Sequence, residues 1–185
     1  MNRSLTEFTG TFFLVFSIGL SVLGGVPMAP LAIGATLMVM VYMGGHVSRA
    51  YYNPAVSVAV ALRGSLKPSD LVPYIVSQLA GALAASLMVY VILGRTFVPA
   101  PGAGGMMAGL LVEILYTTAL ALVVLNVATA PAVAGNSFYG LAIGFTVAAG
   151  AFAGGPISGG AFNPAVGLGP GIVHALLGGG NIAHV

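Results

Sequence analysis

A chain of 185 residues that is 58% hydrophobic and only 4% charged cannot clothe a water-facing surface, because soluble domains carry roughly 25% charged residues. Five Lys/Arg against three Asp/Glu leave a net charge of +2, without the basic clusters that nucleic-acid binding needs or the polarity of a disordered chain. A bilayer is the solvent left, and at about 20 residues per crossing the length has room for about six spans.

The absence of cysteine removes a disulfide framework, an iron–sulfur cluster and a thiolate zinc site.

In chain order, the first apolar run covers about Leu5 to Leu23. Glu7 inside it, together with its length, sets it apart from a cleaved secretory signal. A second span runs from about Pro30 to Gly45. The segment that follows, Gly45 to Tyr52, reads as extended backbone, and Pro54 to Leu62 as a short helix with Asn53 at its cap and proline in its first turn. Nine or ten residues are too few to cross. A third span, about Asp70 to Leu93, carries Ala80, Gly81, Ala84 and Ala85 at a spacing suited to close helix contact in lipid. The stretch from Arg95 to Gly105 reads as a linker. A fourth span covers about Met106 to Val127 and a fifth about Ser137 to Ala153. An extended stretch, Gly155 to Phe162, and a second short helix, 164–174, complete the series. Arg3, Arg63 and Lys67 fall on one side and Arg95 on the other, so the positive-inside rule places the N-terminus in the cytoplasm.

Self-comparison reveals a repeat. Leu31-Ala32-Ile33-Gly34 returns as Leu141-Ala142-Ile143-Gly144, and Asn53-Pro54-Ala55-Val56 as Asn163-Pro164-Ala165-Val166, both at an offset of 110. Between them Thr36, Gly44, Gly45 and Ser48 match Thr146, Gly154, Gly155 and Ser158 without a gap, which makes 12 identities in 26 positions. Glu7 has a counterpart in Glu113. Residues 1–98 form a first repeat of three spans with half-helix 54–62. Residues 99–185 form a second, with two spans and half-helix 164–174. An odd number of spans per repeat inverts the second relative to the first, and inverted repeats with broken helices meet near the bilayer midplane.

There the half-helices present their N-termini to one another, with unsatisfied N–H groups and partial positive charge. Asn53 and Asn163 offer amide donors to a passing oxygen, while a cation meets two positive ends. Such a site suits neutral solutes. The non-helical stretches are tolerable at depth only where they line a cavity.

These residues resemble the aquaporin and glycerol-facilitator family: two Asn-Pro-Ala motifs (Asn53, Pro54, Ala55 and Asn163, Pro164, Ala165), Gly45-His46-Val47-Ser48 before the first, Thr6-Glu7-Phe8-Thr9-Gly10 in the first span, and Gln78 in the third. The resemblance implies an all-α membrane protein with an inverted repeat and two re-entrant half-helices. It also implies a homotetramer with a pore in each subunit, in a plasma or inner membrane, and passive conduction without a cofactor. It places a selectivity filter at Ile33, Ala151, Gly160 and Val166. Members of the family normally carry Arg at the last of these, and water-selective ones add His and Phe at the positions of Ala151 and Ile33. The filter expected here is wide and apolar, passing water, glycerol-like polyols and metalloid hydroxides such as arsenous acid.

Glu7 and Glu113 are expected to brace the non-helical loops as hydrogen-bond acceptors, with a proton relay as the alternative. His46 is read as a buried hydrogen-bonder that helps brace the loops, or as a gate. Arg49 either faces a vestibule or snorkels to the interface. Met38, Met40 and Met43 read as packing or lipid-facing residues, and His174 and His184 as loop residues. A secondary transporter would need a coupling-ion site, and only the two glutamates are ionisable within the spans. The offset of 110 puts the partner of the third span near residue 180, so a sixth helix is expected to be missing. A non-conducting fragment or scaffold is therefore the alternative function.

Overall fold

The structure is a computed structural model that describes residues 2–102 and 104–178. Seven α-helices follow one another among the described residues: α1 (Arg3–Leu23), α2 (Ala29–Ser48), α3 (Pro54–Leu62), α4 (Pro68–Leu93), α5 (Gly105–Thr129), α6 (Tyr139–Ser158) and α7 (Pro164–Leu177), with one 3-10 turn at Pro131–Val133. Five of them, α1, α2, α4, α5 and α6, are long and apolar enough to cross a bilayer. Twenty residues at 1.5 Å each span about 30 Å, whereas the nine of α3 reach less than half of that.

Local chemistry sets the ends. Asn2 caps α1 by accepting from the Leu5 amide at 2.7 Å. Proline stands in the first turn of α2, α3, α4 and α7, where its missing N–H costs nothing. Helix α4 stops at Gly94 in the left-handed conformation, and α2 and α6 stop at left-handed Arg49 and Gly159.

Helix α1 packs between α2 and α4, α6 lies against α2 and α5, and α4 against α7, while α3 touches α4, α5 and α7. A close crossing joins α2 to α6 through Gly34 and Gly144, equivalent positions of the repeat. A Cβ on either would strike the other's carbonyl oxygen. On α4, a Cβ at Gly81 would meet the Phe8 carbonyl, and Gly169 of α7 sits against Ala82. In lipid, where apolar contact between helices brings no gain over contact with acyl chains, such backbone approach supplies the association energy. Val72, Val91, Met107, Leu115 and Leu176 lie on the outer surface.

Several expectations need correction. The helices preceding the half-helices run on through Gly45 and Gly155 to Ser48 and Ser158, so the non-helical stretches shrink to residues 49–52 and 159–162. Gly44 and Gly154 serve there as close-contact positions, against Tyr52 and against Val112 and Tyr116. The second short helix continues past 174 to Leu177, which makes His174 a residue of its last turn rather than of a loop. Ala80 is exposed, and the inward face of α4 is made by Gly81, Ala82, Ala85 and Val89. His184 lies outside the described residues.

Candidate functional site

The two short helices begin at Asn53 and Asn163, both nearly buried at 3% and 7% exposure. Asn53 Oδ1 accepts from the Ala55 amide at 2.9 Å and from the Val56 amide at 3.4 Å; Asn163 Oδ1 accepts from the Ala165 amide at 2.9 Å. Each side chain thus satisfies orphan donors of its own helix. The remaining group of each asparagine reaches across the repeat. Asn53 Nδ2 donates to the Phe162 carbonyl at 2.9 Å, and Asn163 Nδ2 donates to the Tyr52 carbonyl at 2.9 Å. An amide nitrogen has two hydrogens, so one N–H of each asparagine is committed to this cross-tie and the other is left over.

The loops entering these caps share one backbone conformation. Arg49, Ala50 and Tyr52 have φ of 73°, 56° and 51°, and Gly159, Gly160 and Phe162 have 91°, 67° and 47°. A non-glycine residue there costs about 1–2 kcal/mol, so something must hold the loops. Glu7 does so for the first. Its Oε1 accepts from Ser48 Oγ at 2.6 Å and the Tyr51 amide at 3.1 Å, and its Oε2 from the Tyr52 amide at 2.7 Å and Gln78 Nε2 at 2.8 Å. Gln78 also donates to Ser57 Oγ at 2.9 Å, and Tyr74 Oη donates to the Ser48 carbonyl. Glu113 holds the second loop in the same way: Ser158 Oγ at 2.6 Å, the Ala161 amide at 3.0 Å and the Phe162 amide at 2.6 Å. Glu7 is fully buried and Glu113 only half-buried, beside an open groove of about 510 Å³ that Thr117, Thr118 and Asn163 also line.

Two cavities join within the helices, and a third lies further along α5. One of about 360 Å³, bordered by Phe97, Ala151 and Gly160, shares Ile18, Ile33 and Gly160 with a central cavity of about 30 Å³. That central space is walled by Leu37, Val124 and Val166 and touches both Asn53 and Asn163. It holds about one water molecule. Beyond Val124, a third cavity of about 410 Å³ is bordered by Val127, Tyr139, His46 and Arg49. Ile33 and Gly160 thus stand at the junction of the first two, with Ala151 on one side and Val166 on the other.

His46 departs from its expected place. It is exposed and has no hydrogen-bond partner among the described residues, so the buried, bracing role belongs instead to Ser48 and Ser158. Their recurrence at the 110 offset was the available signal. Arg49 is exposed and borders the third cavity. Among the described residues no group of His, Asp or Glu is arranged to hold a metal ion.

Five apolar spans, two half-helices joined cap to cap and a narrow passage between them define an integral, multi-pass membrane protein of the channel type. The family model described as Major intrinsic protein matches residues 1–178. The chain belongs to that family, whose members are channels and not enzymes. It is 36% identical over 171 residues to Aquaporin Z of Brucella melitensis, covering 78% of this chain and 72% of that one. It is 34% identical over 199 residues to Glycerol uptake facilitator protein-like 6 of Lactiplantibacillus plantarum, covering 100% and 88%. Aquaporin NIP1-4 of Oryza sativa subsp. japonica is 37% identical over 180 residues, and the chain spans 65% of that relative's length. Among solved structures, the aquaglyceroporin from Plasmodium falciparum superposes with a TM-score of 0.82 at 20% identity, over 94% of this chain and 81% of that one.

Proposed function

We propose that the chain forms a passive pore for small uncharged solutes, water and glycerol-like polyols, with undissociated metalloid hydroxides such as arsenous acid as further candidates. The observation that carries this reading is the uncharged junction at Ile33, Ala151, Gly160 and Val166, in line with paired asparagines at converging helix N-termini. An apolar wall offers no fixed donor or charge to discriminate between polar solutes of similar width. At the centre, the helix ends disfavour cations and the leftover asparagine N–H groups favour an oxygen. Glu7 and Glu113 brace the loops, and His46 has no part in that bracing.

In this reading residues 1–98 and 99–185 are the two inverted repeats, the protein is a homotetramer with one pore per subunit, and the N-terminus lies in the cytoplasm of a cell whose plasma or inner membrane holds the protein. Proteoliposomes containing the full chain, challenged with glycerol, water and sodium chloride gradients in a stopped-flow instrument, test it. Glycerol and water flux above that of empty liposomes, without sodium flux, is expected. Glycerol flux equal to that of empty liposomes contradicts it.

A further inference from the structure

Of the chain's five cationic side chains, three converge on a single pocket away from the junction at Ile33 and Gly160. It lies at the face of the molecule where α1 begins, holds about 350 Å³, and is lined by Arg3, Arg49 and Lys67, with His46, Ser65 and Asp70 completing its polar wall. Asp70 is the one carboxylate there, and it is engaged by Arg3 at 2.8 Å. With that pair cancelling, the pocket keeps two full positive charges from Arg49 and Lys67. Both are exposed, and neither has a carboxylate partner among the described residues. Arg63 follows α3 on the same side. The positive-inside rule accounts for cations on one face of a membrane protein. It does not account for three of them, brought from α1, the loop after α2 and the start of α4, sharing one cavity.

Backbone geometry strengthens the case for Arg49. It sits at φ 73°, a conformation that disfavours any side chain with a Cβ, and its counterpart in the repeat is Gly159. A glycine would relieve the loop. An arginine there sets a guanidinium between this pocket and the third cavity, since it lines both.

We infer that this pocket binds a phosphate group at the membrane surface. Guanidinium and ammonium donors on a phosphate are the charge-assisted bonds that fit it, and each cation near an anionic membrane surface contributes to such binding. The group can be the headgroup of an anionic phospholipid or a free phosphate compound. The pocket shares Arg49 with the third cavity but none of its lining with the junction at Ile33, Ala151, Gly160 and Val166, so its failure would leave the channel reading intact.

The test titrates the full chain in detergent with dioctanoyl phosphatidylglycerol, dioctanoyl phosphatidylcholine and inorganic phosphate, and reads apparent Kd by native mass spectrometry. Saturable phosphatidylglycerol binding, about fivefold weaker in Lys67→Gln and about 25-fold weaker in Arg49→Asn with Lys67→Gln, is expected. Arg95→Gln, which does not line the pocket, should bind as the unaltered chain does. Asparagine tolerates the left-handed conformation, and Lys67 is exposed, so either single variant decides the matter if the double one fails to fold. Binding of phosphatidylglycerol alone identifies a lipid headgroup; equal saturation by inorganic phosphate identifies a free phosphate. Both support the site. No saturable inorganic phosphate binding together with phosphatidylglycerol binding no tighter than that of phosphatidylcholine, or binding unchanged in the variants, overturns it.

Discussion

The side-chain amide of Asn53 donates to the carbonyl of Phe162 at 2.9 Å, while Asn163 returns the same bond to the carbonyl of Tyr52. Each asparagine therefore joins its own helix cap to the other loop. The two half-helices are held at a fixed separation by bonds that are equivalent under the repeat.

Replacing Asn53 by Asp separates the two duties of this residue. Aspartate retains the oxygen that caps α3 but loses the donor, and sets a carboxylate oxygen against the Phe162 carbonyl. Replacing it by Ala removes the cap, worth about 1 kcal/mol, and the cross-tie, worth about 1 kcal/mol more. Both variants should unfold more readily in graded sodium dodecyl sulfate than the unaltered chain. A loss of stability in Ala but none in Asp would show that only the cap counts.

Glu7→Gln and Glu113→Gln should differ. The Glu7 carboxylate accepts four hydrogen bonds in full burial, and Glu113 accepts three while half-buried. A glutamine turns an NH2 group toward backbone N–H donors in either place. An unsatisfied buried donor costs about 1–3 kcal/mol, and the half-exposed site recovers part of this. Thermal unfolding should show the larger drop in Tm for Glu7→Gln.

At the α2–α6 crossing, Gly144→Val forces apart two backbones in contact at Gly34 and Gly144. Overpacking of this kind costs about 1–3 kcal/mol or more, and the variant should be recovered from membranes in low yield. Gly167→Ala is the control. A Cβ at Gly167 meets nothing within 4 Å, and alanine in a helix gains about 0.5–1 kcal/mol over glycine, so Tm should hold or rise.

The loop conformations predict an asymmetry. Arg49→Gly relieves a left-handed arginine and should be tolerated or slightly stabilising. Gly159→Arg should not be tolerated, because a Cβ there lies at 2.5 Å from the Ala100 backbone nitrogen as well as at φ 91°. Paired expression and Tm measurements would check both.

The sequence made the paired half-helices legible because Asn-Pro-Ala carries its own local physics: a cap, a fixed φ and a helix start, twice, at one offset. Glu7 and Glu113 were legible as acceptors because a carboxylate in lipid demands donors. The reach of α2 and α6 was less so. Gly45 and Gly155 stand where extended stretches were expected to begin, yet no water competes for backbone hydrogen bonds at depth, and the neighbouring Gly44 and Gly154 make room for Tyr52 and Tyr116. The cross-ties from Asn53 and Asn163 depend on how two distant loops meet, which no local pattern encodes. His46 follows Gly44-Gly45 in the motif but lies a turn before the loop that Glu7 holds, exposed on the border of two cavities.

The central claim is that an uncharged junction at Ile33, Ala151, Gly160 and Val166 admits polyols. Its most direct test is glycerol flux through proteoliposomes carrying Val166→Arg beside the unaltered chain, at matched protein density. A guanidinium in the central cavity of about 30 Å³ should reduce glycerol flux about tenfold or more, the equivalent of about 1.4 kcal/mol in the barrier. Unchanged glycerol flux in Val166→Arg would place Val166 outside the path and contradict the account.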